Sequence, residues 1–333
     1  MIWWLVFVVG AAVLVRAGVG VARNGAEIAR RLGISQLLVG ALLVGLATSL
    51  PEVVTNASAA LADAPELAVG TVFGSSMANM AILAVLDLSY RRRMLVSVEL
   101  GQARLAAVGI VLTSIAVLGI VNPSDIEVGW VGLYPIVIVV LYVLTMRWLR
   151  TSRLPIAISD PADPRAPSRV SLRSPEVRRP LARFAAAAAV IFVAAPVIVN
   201  AADHIADDTG IASGFVGVAF VALATSLPEL FTSLGAVRLG EFDLAVGNLL
   251  GSNAFNIASL FVADLFFTRG PIMNAVGPVD VVAGLVAVAL MATALAAIVV
   301  DPEEHHVGPL DPGPILLIVA YAIGVLAVWG ASS

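Results

Sequence analysis

The stretch ATSLPE at Ala47–Glu52 occurs a second time, at Ala224–Glu229. The two copies are 177 residues apart, and the similarity continues on both sides of them. When residues 39–88 are aligned with residues 216–265 without a gap, 24 of 50 positions are identical. Shared apolar composition does not generate a repeated Thr-Ser-Leu-Pro-Glu at one fixed offset, so the chain contains an internal repeat.

The composition around this repeat is that of a membrane protein. The 333 residues are 60% hydrophobic and 13% charged, with a mean hydropathy of +1.00. Soluble domains are about 45–50% apolar and about 25% charged. This excess of apolar residues excludes secreted, fibrous, disordered and nucleic-acid-binding proteins. The absence of Cys excludes thiolate metal sites, and with only 3 His an imidazole site is not expected.

The apolar residues occur in blocks of the length that a helix needs to cross a bilayer, roughly 20 residues. The first block has no basic segment before it and is interpreted as a span and not as a removable signal. We therefore predict an all-α integral membrane protein with ten transmembrane helices. The predicted spans are 2–22, 35–62, 66–88, 98–121, 129–149, 181–203, 211–238, 242–267, 275–300 and 313–331.

Residues 150–180 divide the ten spans into two sets of five. The stretch from Arg150 to Arg183 contains eight Arg and six Pro and is predicted to be a flexible linker. The first five-helix repeat then covers residues 1–149 and the second covers residues 181–333. Because five crossings is an odd number, the two repeats enter the membrane from opposite sides, a common plan in secondary transporters.

The distribution of arginine predicts the orientation in the membrane. All 19 basic residues are Arg, and most of them fall on one side if the ten spans alternate. Cytoplasmic loops carry such an excess. We therefore expect a cytoplasmic linker and two external termini, in the cell (plasma or inner) membrane. The acidic loop Asp301–Asp311 also falls on the inside, but acidic residues contribute little to this rule.

Glu52 and Glu229 occupy matching positions of the two copies, and each follows a proline within a predicted span. A carboxylate in hydrocarbon costs about 2.5–3.5 kcal/mol and usually marks an ion pathway. Pairing with Arg is the alternative, but the Arg residues inside the predicted spans, Arg16 among them, lie toward the span ends and not beside the glutamates. The prolines also free the backbone carbonyls one turn earlier. The two glutamates are therefore predicted to bind a transported cation.

Neutral oxygen ligands surround both glutamates. They are Thr48, Ser49, Thr225 and Ser226, one turn before the glutamates, and the pairs Ser75 with Asn79 and Ser252 with Asn256, which share a helix face by their i, i+4 spacing. Hard cations such as Ca²⁺ take six to eight oxygen ligands, whereas softer transition metals favour imidazole or thiolate. For any one of these side chains, a bridge between helices is the alternative role.

Other patterns predict packing and interfacial positions. The GxxxG patterns that begin at Gly70 and Gly247 predict that spans 3 and 8 pack closely against the broken helices. Asp87 and Asp264 lie near span ends and are expected to be interfacial and not cation ligands.

The two copies resemble the alpha repeats of the sodium/calcium exchanger family, within the cation/calcium antiporter superfamily. The resemblance implies a core of broken helices 2, 3, 7 and 8 that holds one calcium site and several overlapping sodium sites, with spans 1 and 6 sliding across it. Glu52 and Glu229 would be the shared ligands, and Thr48 and Thr225 would offer backbone carbonyls to calcium. Sodium would be bound by Ser49, Ser75, Ser226 and Ser252, with backbone oxygens near Gly45 and Ala222.

Two positions depart from the family pattern. Asn256 stands where microbial members often have Asp, and it is similar to the potassium-independent animal exchangers. Ser76 replaces the Asn that commonly follows Gly-Ser in the first repeat. Because Asn256 stands at the first of these positions, the resemblance implies transport that does not depend on potassium.

We therefore predict a Na⁺/Ca²⁺ antiporter that works by alternating access in the lipid bilayer. No cofactor beyond the transported Ca²⁺ and Na⁺, no nucleic acid and no obligatory protein partner are expected. One alternative is a Ca²⁺/H⁺ antiporter of the same superfamily, although its usual Gly-Asn-x-x-Glu signature is absent. Another is a passive cation channel in which the glutamates form a selectivity ring. An enzyme is not expected, because no nucleophile–base arrangement lies near the glutamates.

Overall fold

Long helices make up most of the residues that the structure describes. The computed structural model describes residues 2–90, 94–151, 174–209, 225–299 and 312–332. The helices are α1 (Ile2–Leu32), α2 (Gln36–Leu38), α3 (Gly45–Leu61), α4 (Pro65–Ser89), α5 (Met94–Ser97), α6 (Gly101–Val121), α7 (Leu133–Thr151), α8 (Pro175–Thr209), α9 (Leu227–Arg238), α10 (Phe242–Phe266), α11 (Pro278–Val299) and α12 (Pro312–Ser332). A π-helical segment, Val39–Val44, joins α2 to α3. A two-stranded antiparallel pair, Glu127–Val128 with Val131–Gly132, precedes α7, and Ile272–Ala275 is a 3₁₀ turn.

Most of these helices have the length and composition of membrane spans. Within the described residues, eight helical segments are long and apolar enough to cross a bilayer, and α7 adds a shorter apolar stretch, Leu133–Leu149. Large apolar side chains such as Leu5 on α1 and Ile323 on α12 are more than half exposed. Such surfaces are stable in lipid, where they need no protein partner.

The internal repeat is visible in the helix bounds. Helices α4 and α10 each contain 25 residues, and they start at Pro65 and Phe242, which are 177 positions apart. Helices α6 and α11 start at Gly101 and Pro278, with the same offset. The duplicated sequence therefore folds into duplicated helices.

Only two of the four predicted breaks in the core helices are present in the described residues. Span 2 is interrupted by the π-helical segment, and a turn at Ser226 precedes α9 in span 7. Spans 3 and 8 are not broken, because α4 and α10 are each one continuous helix. Neither has a proline beyond its first turn, so nothing removes an internal hydrogen bond.

Two boundaries also differ from the prediction. Helix α8 begins at Pro175, inside the segment predicted as the 150–180 linker, and α1 continues ten residues past its predicted end to Leu32. Pro is well tolerated in the first turn of a helix, which explains the start of α8. The charged residues at the end of α1 are good helix formers, so the helix continues beyond the apolar stretch.

Ion pairs join loops that the ten-span topology places on the same side. Arg30 at the end of α1 contacts Glu241 before α10 at 2.8 Å. Arg269 after α10 contacts Asp63 after α3 at 2.7 Å. The first pair belongs to the predicted cytoplasmic side and the second to the opposite side, so both agree with alternating spans.

Asp87 and Asp264, which the repeat makes equivalent, hold loops in place. Asp87 Oδ1 accepts a hydrogen bond from the backbone of Leu95 at 3.1 Å. Asp264 accepts from the backbone of Gly132 at 2.7 Å and of Ile272 at 2.6 Å. Both carboxylates therefore cap the loop that follows their helix, at the predicted interfacial positions.

Glycines allow the closest contacts between helices. A methyl group on Gly18 would lie 2.8 Å from the backbone nitrogen of Thr232, so α1 and α9 meet backbone to backbone. A methyl group on Gly251 would lie 2.4 Å from the Cα of Ala41 in the π-helical segment, so α10 packs against span 2 as the GxxxG pattern predicts. Gly70 instead faces Asp280 on α11, which is not one of the core helices.

Candidate cation site

The two repeated glutamates lie in one buried site. Glu52 on α3 and Glu229 on α9 are 1% and 0% exposed. Ser49 donates a hydrogen bond from Oγ to Glu229 Oε1 at 2.9 Å. Ser252 Oγ lies 3.5 Å from Glu229 Oε1 and stands one turn before Asn256 on α10, whose amide contacts Glu52. Among the described residues no ion pair involves either glutamate, so the alternative of an Arg partner has no support there.

Hydroxyl groups from the two repeats meet in two equivalent pairs. Thr48 Oγ1 lies 3.4 Å from Ser252 Oγ, and Thr225 Oγ1 lies 3.4 Å from Ser75 Oγ. The repeat offset converts one pair into the other. Each pair joins a residue of a proline-containing segment to a residue of the long helix from the opposite repeat, so both repeats contribute to both halves of the site.

The two predicted asparagines have different partners. Asn256 on α10 donates from Nδ2 to Glu52 Oε2 at 2.8 Å. Asn79 on α4, at the equivalent position, donates to Asn253 Oδ1 at 2.9 Å and not to a glutamate. The structure therefore brings Asn256 to the carboxylate pair, whereas Asn79 has no hydrogen bond to either carboxylate among the described contacts.

Backbone oxygens also reach the site. The Gly45 carbonyl, directly after the π-helical segment, accepts from Thr48 Oγ1 at 3.1 Å and from Ser252 Oγ at 3.5 Å. π-Helical turns inside α-helices often occur at functional sites. Ser226 Oγ is buried and has no hydrogen-bond partner among the described residues. The predicted backbone ligand Ala222 lies outside the described residues.

Residues that the sequence analysis did not select complete the site. Asn248 on α10 accepts from Thr48 Oγ1 at 3.2 Å, donates to Ser233 Oγ at 2.9 Å and lies 3.4 Å from the Glu229 carbonyl. It stands one turn before Ser252, on the helix face that also carries Asn256. The i, i+4 spacing used for those two residues could therefore have identified it.

Several buried oxygens of the site have no donor. Among the described residues, the buried side-chain oxygens without a hydrogen-bond partner are Gln102 Oε1 on α6 and, on the core helices, Glu52 Oε1, Glu229 Oε2, Asn79 Oδ1, Asn256 Oδ1, Asn56 Oδ1, Ser226 Oγ and Thr232 Oγ1. An unsatisfied buried polar group is costly. A hard cation satisfies such oxygens directly, and two carboxylates with neutral oxygens match the ligands that Ca²⁺ prefers. The arrangement can therefore bind a cation without nitrogen or sulfur ligands.

Comparison with known proteins identifies relatives of the chain. The sequence profile of the sodium/calcium exchanger protein family matches residues 2–149 and 180–330. The inner membrane protein YrbG of Escherichia coli is 30% identical over 247 residues, which are 73% of each chain. The sodium/calcium exchanger MaX1 of Methanosarcina acetivorans is 25% identical over 315 residues, which are 82% of this chain and 88% of MaX1.

The fold has a counterpart among solved structures. The sodium-calcium exchanger NCX_Mj, in a crystal soaked with Na⁺ and Sr²⁺, superposes with a TM-score of 0.72 over 97% of each chain at 22% identity. This match confirms the predicted all-helical membrane fold, and the family profile covers both halves of the repeat. The chain is a multi-pass membrane transporter, not an enzyme, and it belongs to the sodium/calcium exchanger protein family.

Proposed function

We propose that this protein exchanges Na⁺ for Ca²⁺ across the cell membrane by alternating access. The observation that carries the proposal is the pair Glu52 and Glu229, buried together from two repeats, each with one oxygen that has no partner among the described residues. MaX1 is named a sodium/calcium exchanger, which supports the same pair of ions.

The charges of the site explain why the two ions would compete. Two carboxylates neutralise one Ca²⁺ or two Na⁺. A further Na⁺ would be held by hydroxyl, carbonyl and amide dipoles, and Ser49, Ser75, Ser226, Ser252 and the Gly45 carbonyl are the candidate ligands. Because both ions require Glu52 and Glu229, binding of one excludes the other. Each ion shifts the inward–outward equilibrium only by its difference in affinity for the two states.

The long helices α1 and α8 are the candidate moving elements. They pack against each other, and α1 contacts α9 through Gly18. Sliding of packed helices is an established form of conformational change. We propose that their displacement exposes the glutamates to the two sides in turn.

The decisive experiment is calcium uptake into vesicles that contain the purified protein. Sodium-loaded vesicles should accumulate radioactive calcium when external sodium is removed. Adding or removing potassium should leave the rate unchanged, because Asn256 gives the site no third carboxylate. A pH gradient without sodium should give no uptake.

Other outcomes identify the alternatives. Uptake driven by a pH gradient without sodium would establish the Ca²⁺/H⁺ antiporter. Gradient-independent uptake together with single-channel currents would establish the passive channel. Stimulation by potassium would contradict the role given to Asn256.

We also propose that both termini are external and that residues 150–180 link the repeats on the cytoplasmic side. The chain has no Cys, so single cysteines can be introduced at Ser333 and at Ser174 without a background. A membrane-impermeant maleimide added to whole cells should label Ser333→Cys and leave Ser174→Cys unlabelled until the cells are opened. The reverse pattern would invert the proposed topology.

A further inference from the structure

A basic cavity lies between two of the membrane helices, away from the glutamate pair. It has a volume of about 1360 Å³ and is lined by the C-terminal half of α1, from Ala12 to Arg31, and by the first turns of α8, from Pro175 to Arg183. Its charged lining residues are Arg16, Arg23, Arg30, Arg31, Arg179 and Arg183, with Glu27 and Glu176. Six positive and two negative side chains give the cavity a clear positive charge.

The two glutamates that line the cavity form ion pairs with only two of its six arginines. Glu27 contacts Arg30 at 3.0 Å and Arg31 at 2.5 Å, and Glu176 lies 3.7 Å from Arg31. Arg30 also contacts Glu241 at 2.8 Å. The remaining four arginines form no ion pair within the part of the chain that the structure describes; they are Arg16, Arg23, Arg179 and Arg183.

The position of Arg16 along α1 also favours an anionic ligand in the cavity. It lies seven residues before Arg23, so it is about 10 Å deeper along the helix at 1.5 Å per residue. Its side chain is exposed, and the next turn toward the N-terminus presents apolar residues such as Val13 and Val9 to the surroundings. A guanidinium at this depth requires water or an anionic partner, toward which its long side chain extends.

The rest of the lining indicates the kind of anion. Beside the arginines the cavity is lined by Ala12, Val15, Val19 and Pro180, so part of its wall is apolar. Guanidinium groups bind phosphate oxygens through paired hydrogen bonds. The first turn of α8 adds the favourable N-terminal end of a helix dipole. A ligand with both a phosphate and an apolar chain matches this lining better than a free phosphate ion.

We propose that this cavity binds the phosphodiester headgroup of an anionic phospholipid. Arg16 and Arg23 from α1 and Arg179 and Arg183 from α8 hold the phosphate, and an acyl chain lies along the apolar wall. Basic pockets between membrane helices bind anionic headgroups in this way. Because the four arginines come from two helices, the lipid joins α1 to α8. The proposal does not depend on which ions the protein exchanges.

The test is binding of phosphatidylglycerol to the purified full-length protein, followed by native mass spectrometry. Phosphatidylcholine and glycerol phosphate, the latter without acyl chains, are titrated in parallel. Phosphatidylglycerol should be retained at least tenfold more strongly than either. Equal retention of phosphatidylcholine, or displacement of the lipid by equimolar glycerol phosphate, would overturn the proposal.

A pair of matched variants locates the site. Arg23→Gln with Arg183→Gln should weaken phosphatidylglycerol binding at least tenfold. The control, Arg178→Gln with Arg238→Gln, removes the same charge from exposed arginines that do not line the cavity. It should bind the lipid as the unmodified protein does, and an equal loss in both variants would overturn the proposal.

A stability readout supports the binding measurement. Added phosphatidylglycerol should raise the Tm of the unmodified protein and of the control, because a ligand of the folded state stabilises it. It should leave the Tm of the cavity variant unchanged, and an equal rise in all three would contradict the assignment. Should the cavity variant fail to fold, the lipid selectivity of the unmodified protein still decides the proposal.

Discussion

The surroundings of Glu52 and of Glu229 come from the same duplicated sequence, yet they differ. Glu229 accepts hydrogen bonds from hydroxyl groups, Ser49 at 2.9 Å and Ser252 at 3.5 Å. Glu52 accepts a hydrogen bond from the amide of Asn256 at 2.8 Å. The hydroxyl pairs that join the two repeats have the same geometry in both halves, whereas the amides of Asn256 and Asn79 have different partners. The two halves of the site therefore have the same hydroxyl contacts between the repeats, but different hydrogen-bond donors to the two carboxylates.

Two substitutions between the repeats accompany this difference. Asn248 occupies the position of Thr71, whose hydroxyl donates only to the carbonyl of Leu67 in its own helix among the described contacts, at 2.6 Å. Asn253 occupies the position of Ser76 and accepts the amide of Asn79. The three asparagines of α10 form side-chain hydrogen bonds with α3, α4 and α9. Thr71 and Ser76 of α4 donate only within their own helix among the described contacts. Divergence of a few side chains on one helix has made the site asymmetric.

The backbone shows a second asymmetry. Pro51 lies inside α3, whereas Pro228 lies in the first turn of α9, directly after the turn at Ser226. A proline in the first turn removes no helical hydrogen bond, but a proline inside a helix does. The same six-residue motif therefore lies inside α3 in one repeat and leads into the first turn of α9 in the other.

The largest expected effect is common to both halves. Glu52→Gln and Glu229→Gln should each reduce calcium uptake by about 100-fold or more, since loss of a buried charge contact costs roughly 2–5 kcal/mol. The measurement is vesicle uptake driven by sodium. Glu66→Gln, an exposed carboxylate at the start of α4, is the control and should retain most activity. Full activity of either glutamine variant would remove that glutamate from the site.

The next largest effect should differ between the equivalent asparagines of the two halves. Asn256→Asp places a carboxylate against Glu52, and the repulsion of juxtaposed like charges should lower uptake about tenfold, which corresponds to about 1.4 kcal/mol. Asn79→Asp is the matched variant, and it should cost less because Asn253 can turn its amide to donate to the new carboxylate. Equal rates for the two variants would show that the asymmetry of the amides has no functional effect.

A smaller effect concerns stability. Asn248→Ala removes a side chain that contacts Thr48, Ser233 and the Glu229 carbonyl, and should lower the free energy of unfolding by about 2–3 kcal/mol by leaving buried polar groups unpaired. Thr71→Ala removes one bond within its own helix and should cost about 1 kcal/mol or less. Denaturation followed by circular dichroism checks both. Equal losses would contradict the idea that α10 is the linking helix.

The smallest effect distinguishes the loops after α4 and α10. Burial, and then the charge of Asp243, raise the pKa of Glu99 above its ordinary value of 4.5, while the equivalent position of the other loop is Val276. The folded state therefore favours protonated Glu99, and stability falls as the pH rises from about 4.5 through the raised pKa. Glu99→Gln should remove this fall in Tm.

The exposed Asp125 provides the control for this pH dependence. Asp125→Asn should leave the slope of Tm against pH in that range as it is in the unmodified protein. A slope unaffected by Glu99→Gln would show that Glu99 does not contribute to it.

Much of the fold could be predicted because it depends on local properties of the sequence. Apolar blocks determine the spans, and the fixed offset of the ATSLPE motif predicts the duplicated helices. The family and the helical membrane fold are confirmed by the profile and structure matches. The expected breaks in spans 3 and 8 came from the resemblance, although the absence of an internal proline after Pro65 and Phe242 argues for continuous helices.

The partners of the asparagines could not be predicted in this way. Asn79 and Asn256 are equivalent in sequence, and each lies one turn after a serine of its helix. Which amide reaches a carboxylate depends on the relative positions of α4, α10 and α3, a property of packing between distant segments. The ligand roles of the remaining predicted residues stay predictions until transport is measured.

Gly18 and Gly235 give the contact between α1 and α9 a mechanical property. A methyl group on Gly235 would lie 2.9 Å from the Cα of Val19, so no side chain of either glycine is interlocked between the helices. Helices held by interdigitated side chains must repack them to change register, whereas two smooth surfaces can shift with little change in contact. A shift of α1 along α9 would therefore repack few side chains at the two glycines, and it would have to break or carry along the contact of Arg30 with Glu241 at the end of α1.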